Sequence, residues 1–232
     1  MDSSERLRDS THAFEPDPRT CNIVELDVHA QIPHPITLAS QHDAVACFIL
    51  NATVPEKIAI HFETAKNLYL YAWFVFRFYP VAEQQALTSL EFALKERLGN
   101  FVHGHEEKLP EPVPRGLGKL LTQARSKGLI RNEALQGREG WALEAAKHLY
   151  RTEKLREMMT AGEPEMIIDD SHVVPTVADL QHDWLGGFVK AIPSIRNDYA
   201  HSSSTLHHSV LHTFDLVCQL INQLYSETIV EG

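Results

Sequence analysis

The segment 196–201, with the sequence RNDYAH, holds the residue types best suited to chemistry on a phosphodiester. The guanidinium of Arg196 can donate a planar fork of hydrogen bonds to two phosphate oxygens. The imidazole of His201, five positions further along, can exchange a proton near neutral pH. These two groups together can cleave a phosphodiester without a metal ion, so the segment is the first candidate site of the chain.

Where the phosphodiester is RNA, the ribose 2′-hydroxyl is a built-in nucleophile. Cleavage requires that this hydroxyl lose its proton, that the leaving oxygen gain one, and that negative charge on the phosphorane be stabilised. We predict His201 as the general acid or base and Arg196 as the group that stabilises the charge. Asn197 is predicted to orient the histidine or the phosphate.

Three nearby residues are candidate substrate-binding groups: Asp198, His207 and His208. Asp198 can hold the Arg196 guanidinium when no substrate is bound, because a partly buried guanidinium needs a carboxylate or a phosphate. His207 and His208 add positive charge beside the motif. The structural alternative is that the arginine and histidine cap helix carbonyls or join a buried hydrogen-bond network without doing chemistry.

Helix geometry places a condition on this site. On a continuous helix, residues five apart differ by roughly 140° around the axis, so Arg196 and His201 would point away from each other. They converge only if the helix ends near Ala200 or if two protomers pool their residues. The serines and threonine at 202–205 are good N-cap residues and favour a helix end there.

A second set of residues competes for the same part of the chain. His208, His212 and Asp215 are spaced by four and three positions, so they share one helical face and could bind a divalent metal. With 14 histidines in the chain such a set arises easily by chance, and a solvated polar face is the alternative. No phosphate-binding glycine loop, serine nucleophile elbow or Cys-x-x-Cys pair is present. We therefore predict neither a metal nor a cofactor.

Apolar spacing predicts the helices that must position the motif. A helix that is apolar on most sides begins at Pro55, and Pro80 kinks or breaks it. A second helix follows, with Glu83 on its outer face and Gly99 as its end. Further helices are predicted over 117–124 and 140–159, then along the apolar stripe 177–195, and finally over 210–224.

The first part of the chain follows a different pattern. Residues 1–20 are rich in charges and contain two prolines, so we predict a loose tail. Apolar residues then alternate with polar ones from Val24 to Val28, which predicts a short strand ended by Pro33 and Pro35. We divide the chain into a tail and extension at 1–54 and a helical domain at 55–232.

Composition limits the classes of function. The 232 residues are 44% hydrophobic and 22% charged, which is typical of a soluble protein with a core. A net charge of −10 disfavours broad, non-specific binding of nucleic acid but allows a small basic site. Three cysteines without paired spacing, together with a polar N-terminus and no apolar run of ~20 residues, lead us to expect a cytoplasmic protein without a membrane segment.

The RNDYAH segment and its flanking helices resemble the HEPN superfamily of all-helical domains. The signature of that family is an arginine, often followed by a polar residue, and a histidine after four to six intervening residues; here four residues intervene and Asn197 is the polar one. The resemblance is strong over 175–225, weaker over 55–98 and absent before residue 55. The chain is longer than the smallest members of the family, with an N-terminal extension and a central insert that we expect to act as a regulatory cap or a partner surface.

The resemblance implies an all-α fold, an up-and-down bundle of four to five main helices, here with a short irregular or β-like N-terminal extension. It also implies a metal-independent endoribonuclease that attacks through the ribose 2′-hydroxyl, leaves a cyclic phosphate, and serves in a toxin or phage-defence system. The expected partners are RNA, a second copy of the chain in a homodimer, and a cognate inhibitor protein. The alternative is a non-catalytic binding or dimerisation module of the same family.

Overall fold

The computed structural model describes residues 6–26, 32–103, 114–200 and 207–226, and it describes no side chains for 100–103 and 193–200. Eight α-helices and one two-stranded sheet lie in these ranges, so the predicted mainly-α class is confirmed. The elements in chain order are β1 Val24–Leu26, β2 Pro33–Pro35, α1 Leu38–Ala46, α2 Glu56–Tyr71, α3 Phe78–His103, α4 Leu117–Ser126, α5 Arg138–Ala161, α6 Val177–Leu180, α7 Trp184–Ala200 and α8 Leu211–Leu224.

The chain divides into two compact units. The first consists of Met1–Ile130 and Lys190–Gly232, and the second of Arg131–Val189. The first unit therefore contains the N-terminal extension, α1 to α4, the last part of α7, and α8. The predicted division at residue 54 stays a prediction.

The core of the first unit lies where α3 packs against α2 and α8. Apolar side chains at helical spacing cause this packing, because they form one apolar face on each helix and these faces are buried against each other. On α8 the predicted stripe is confirmed, since its members are all buried: Val210, Phe214, Val217, Ile221 and Leu224. The Phe214 ring lies 5.9 Å from that of Phe62 and 5.8 Å from that of Tyr69 on α2. Burying one such aromatic side chain contributes about 1.5–3 kcal/mol.

The break between α2 and α3 differs from the prediction. The chain leaves the helix after Tyr71 and re-enters it at Phe78, so Pro80 lies in the first turn of α3 rather than at a helix end. A proline is tolerated there because the first N–H groups of a helix have no partner within it. Gly99, predicted as the end of this helix, lies inside α3, and Glu83, predicted on its outer face, is buried with 1% exposure.

Asp17 fixes the turn between α2 and α3, which also corrects the prediction of a loose tail over 1–20. Asp17 is fully buried, and its backbone N–H donates to the carbonyl of Trp73 at 2.9 Å. Its carboxylate accepts from the backbone N–H of Phe76 at 3.2 Å and from two guanidinium nitrogens of Arg19, both at 2.9 Å. Asp17 therefore binds the described part of the tail to the helical core, because it forms hydrogen bonds with backbone groups of the turn between α2 and α3.

A hairpin follows this anchor, and its second strand was not predicted. Pro33 and Pro35, expected to end the first strand, form β2, which pairs antiparallel with β1. The backbone N–H of Ile36 donates to the carbonyl of Ile23 at 3.1 Å. Because hydrogen-bonded positions alternate along an antiparallel pair, both prolines fall at positions that need no N–H donor.

The second unit contains α5, α6 and the start of α7. The predicted helix over 140–159 is confirmed by α5. The apolar stripe from 177 was expected to form one helix, but it is interrupted between α6 and α7. Asn132 stabilises the interruption, since its side chain donates to the carbonyl of His182 at 3.2 Å and accepts from the N–H of Leu185 at 3.1 Å.

The Asp17 anchor generates a prediction about acid stability. Burial raises the pKa of Asp17, but hydrogen bonds from Arg19 and Phe76 and the charge of Arg19 outweigh burial and hold it below its ordinary value of 3.8. A lowered pKa means that the carboxylate stabilises the fold above that ordinary value and stops doing so as the pH falls through the folded-state pKa. We expect Asp17→Asn to lower the free energy of unfolding in urea at neutral pH by about 1–3 kcal/mol.

The difference between Asp17→Asn and the parent chain should shrink in acid, where the parent carboxylate is itself protonated. Asp43→Asn is the matched control, because Asp43 is exposed and lies outside the helical core. We expect this control to stay within about 0.5 kcal/mol of the parent. Equal stability of Asp17→Asn and the parent at neutral pH would contradict the role of Asp17.

Candidate functional site

The predicted catalytic motif lies at the end of α7. The backbone of Arg196, Asn197 and Asp198 is helical, in the last turns of α7. Their side chains, and the whole of His201, lie outside what the structure describes. The catalytic roles of Arg196, Asn197 and His201, and the binding role of Asp198, therefore stay predictions.

The described chain resumes at His207, six residues after His201, and a buried carboxylate meets it there. The imidazole Nε2 of His207 lies 3.8 Å from the Oε2 of Glu83, and the side chains are 39% and 1% exposed, respectively. The hydroxyl of Thr213, in the first turn of α8, donates a short hydrogen bond to the Oε1 of Glu83. Glu83 thus joins α3 to the start of α8 and to the segment that follows the motif.

His208 is fixed on the same face of α3. Its ring meets the ring of Tyr79 edge-on, with the centroids 6.3 Å apart. Tyr79 and Glu83 are four positions apart, so they lie one above the other on the helix. Two consecutive histidines, both predicted as substrate-binding groups, are therefore placed against two neighbouring side chains of α3.

A chain of hydrogen bonds holds Tyr79 in place. Its hydroxyl donates to the Oε1 of Gln41 at 2.7 Å, and the Nε2 of Gln41 donates to the backbone carbonyl of Tyr69 at 2.7 Å. Gln41 is 3% exposed, so this network lies within the protein. Burial raises the pKa of the Tyr79 hydroxyl, which therefore keeps its proton and its role as donor at neutral pH.

A cavity of about 380 Å³ opens beside this network, within the first unit. The N-terminal extension supplies one wall, which includes Glu25. Tyr69 of α2 and Tyr79 of α3 contribute aromatic side chains, α1 and α8 also line the cavity, and the segment after the motif contributes His208 and Ser209. Burial and the negative charge of Glu25 raise the pKa of the Tyr69 hydroxyl to about 12, so it too stays protonated near neutral pH. The cavity combines aromatic rings, a carboxylate and hydroxyl groups.

The three residues of the competing metal set have other surroundings. His208 contacts the Tyr79 ring, and Asp215 accepts a hydrogen bond from the Nε2 of Gln219 at 3.0 Å. His212 is exposed on α8. Across 6–26, 32–103, 114–200 and 207–226, no group of three or more His, Cys, Asp or Glu residues is placed to hold a metal ion. The described geometry therefore gives no support to a metal site at this face.

Sequence reasoning missed Glu83 and the cavity. The signal for Glu83 was present, since residues 79, 82, 83, 86 and 90 fall on one helical stripe and a carboxylate on such a stripe needs a buried partner. Its partner Thr213 is 130 residues away, and no local pattern joins the two. Glu25 and Gln41 were missed because their place in the cavity lining depends on the fold of the extension.

The described helices also bear on the membrane prediction. Of the helical segments that the structure describes, none combines the length and the apolar character needed to cross a bilayer.

The link between Thr213 and Glu83 gives a prediction about stability. Thr213→Val keeps the shape of the side chain but removes a donor to a buried carboxylate. We expect the free energy of unfolding in urea to fall by about 1.5–3 kcal/mol, the usual range for hydrogen bonds to charged groups. Thr88→Val in α3 is the matched control, because the Thr88 hydroxyl is exposed and donates only to the carbonyl of Gln84. Equal losses in both variants would show that Glu83 does not depend on Thr213.

Comparisons with family models, with curated proteins and with solved structures found no match to this chain. Its function must therefore be inferred from its own residues and their arrangement.

Proposed function

We propose that the chain is a metal-independent endoribonuclease of the HEPN type, with Arg196, Asn197 and His201 as its catalytic residues. One observation carries the proposal: the RNDYAH motif begins in the last turns of α7, and the next described residues, His207 and His208, are held against α3 beside a cavity. The segment that follows the motif thus has fixed contacts and lines a space for a ligand, which supports a site in this part of the chain.

The reaction follows from the chemistry of these side chains. His201 either takes the proton from the ribose 2′-hydroxyl as a general base or gives a proton to the leaving oxygen as a general acid. Arg196 donates to the phosphate oxygens and stabilises the charge that develops on them. Asn197 orients one of these groups. The 2′-oxygen attacks the phosphorus, the 5′-oxygen leaves with a proton, and the product is a cyclic phosphate.

The proposal extends to the assembly. We propose that α2, α3, α7 and α8 form the up-and-down bundle of this family, and that two copies pair through the face that carries the motif. RNA is the substrate, a cognate inhibitor protein restrains the activity, and the protein acts in the cytoplasm as part of a toxin or phage-defence system. Pairing supports the chemistry, since a second copy can place its own histidine or arginine at the same phosphate.

A second candidate is a binding or dimerisation module without chemistry. The observation that favours it is the buried Glu83, whose bonds to Thr213 and His207 fix the end of the motif segment whether or not any reaction occurs. In this case Arg196 has a structural role in the packing of the fold and no role in catalysis.

Cleavage of RNA in the presence of EDTA tests the proposal. We expect the parent chain to cleave single-stranded RNA and to leave 2′,3′-cyclic phosphate ends. His201→Ala should lower the rate by about 10²–10⁴-fold, the usual contribution of a general acid or base. Arg196→Ala should lower it by about 10²–10³-fold, as for the loss of one preorganised donor. Far-UV circular dichroism and urea unfolding should be unchanged in both variants.

Matched controls come from exposed residues of α5 in the second unit. His148→Ala and Arg156→Ala remove the same residue types from exposed positions that are not part of the motif, and they should cleave like the parent. Parent-like cleavage by both motif variants would overturn the nuclease assignment. No cleavage of any RNA by the parent, together with a large loss of stability in Arg196→Ala, would favour the binding module.

A further inference from the structure

We propose that the cavity lined by the segment after the motif binds a base of the RNA substrate, and that it selects bases with an exocyclic amine over uracil. This inference rests on the proposed endoribonuclease function, which it deepens by naming a class of substrate. The amine-bearing bases are adenine, cytosine and guanine.

The position of the cavity along the chain supports a role near the scissile phosphate. His208 and Ser209 line it, and they follow His201 by seven and eight residues. Even a fully extended chain spans at most about 25 Å over seven residues. The cavity therefore lies within a few nucleotides of any phosphate that His201 can reach.

The size and the rings of the cavity suit a base. Its volume of about 380 Å³ is within the usual range of small-molecule sites and large enough for a base with its sugar. Tyr69 and Tyr79 pack edge to face with their centroids 5.4 Å apart, so the aromatic part of the lining is rigid. His208 adds an exposed ring. An unstacked RNA base can stack on the exposed His208 ring. Tyr69 and Tyr79 are only 6% and 1% exposed, so they contribute a packed wall rather than a stacking surface.

Glu25 gives the cavity an acceptor for a base amine, in a lining that also includes the imidazoles of His208 and His212. Glu25 lines the cavity, and its carboxylate lies 3.6 Å from the Nδ1 of His34 on the paired strand, which helps to hold it in place. A carboxylate repels phosphate but accepts a hydrogen bond from an amine. The Tyr69 hydroxyl keeps its proton, so the lining offers a donor beside the acceptor.

The same carboxylate gives the selectivity. Adenine and cytosine present an amine on the base-pairing edge, and guanine presents one at N2, so each can donate to Glu25. Uracil has a carbonyl oxygen in the place where cytosine has its amine. The only donor on this edge of uracil is N3–H, which lies between two carbonyl oxygens. A carboxylate that accepts from N3 therefore also faces a carbonyl acceptor, which disfavours uracil.

The first test maps the cleavage sites of a random-sequence RNA pool by sequencing the ends that the full chain produces. We expect one position next to the cut to be depleted of uracil by about tenfold or more, the usual discrimination of one good polar contact. Glu25→Gln replaces an acceptor by a group that can also donate to a carbonyl, so the depletion of uracil among the cuts that this variant makes should disappear. Glu15→Gln is the matched control, since Glu15 is exposed and outside the cavity lining, and it should keep the depletion.

The second test measures binding without cleavage. Titration of the His201→Ala chain with adenosine, cytidine, guanosine or uridine, followed by NMR, should show uridine binding at least about tenfold more weakly than the other three. Ala44→Phe places a ring in the cavity lining and should abolish binding of all four. Circular dichroism checks that Ala44→Phe and Glu25→Gln are folded.

The two proposals fail in different ways. Cleavage with no base preference near the cut, or with a preference that Glu25→Gln and Ala44→Phe leave unchanged, overturns the base site and leaves the nuclease standing. Selective nucleoside binding by a chain that cleaves no RNA overturns the nuclease and assigns the cavity to a free nucleoside instead of an RNA base. If the chain neither cleaves RNA nor binds a nucleoside, both proposals are overturned.

Discussion

The buried carboxylate of Glu83 is the constraint on which the candidate site depends. A carboxylate with 1% exposure on a helix of the core costs several kcal/mol unless hydrogen bonds and opposite charge replace the lost water. Thr213 and His207 supply such contacts from the segment that begins α8. The start of α8 is therefore fixed by polar contacts at a site where apolar packing alone would allow it to slide along α3.

This constraint also sets the position of the cavity. Because His207 lies next to Glu83, the following residue His208 meets Tyr79 one turn earlier on α3. Tyr79 is held in turn by Gln41 of α1, so the N-terminal extension and the segment after the motif meet at the same place. The extension is thus part of the site rather than an appendage to the helical core, and its hairpin brings Glu25 to a cavity that the helices by themselves would leave open on that side.

Periodicity predicted the helices well, because a stripe of apolar residues at 3.6-residue spacing has few other uses. The stripe of α8 was correct residue by residue, with Phe214 and Ile221 fully buried. The failures share a different cause. The chain breaks before Phe78 because Asp17 binds the turn there, and Glu83 is buried because Thr213 reaches it from α8. Both partners are distant in sequence, so no local pattern could indicate them.

The sequence indicated which residues could form the candidate site, but it did not indicate their contacts. The types and spacing of Arg196 and His201 indicate phosphodiester chemistry directly, because few residue pairs combine an anion-binding fork with a proton carrier. His207 and His208 were singled out by their place after the motif, and their substrate-binding role stays a prediction. Their contacts with α3 could be seen only in the fold. Gln41 and Glu25 carry no motif at all, and their relevance comes only from where the extension lies.

The negative charge of the chain bears on how RNA would be oriented in the proposed site. The net charge of −10 disfavours broad, non-specific binding of an RNA backbone, so the proposed binding depends on a few local contacts. Glu25 in the cavity repels phosphate and accepts amines, whereas Arg196 has the opposite preference. A strand that places a phosphate at the arginine and a base in the cavity satisfies both groups, and the reverse arrangement satisfies neither. Selection by base identity then compensates for a weak electrostatic attraction, which suits an enzyme that acts on a restricted set of RNAs.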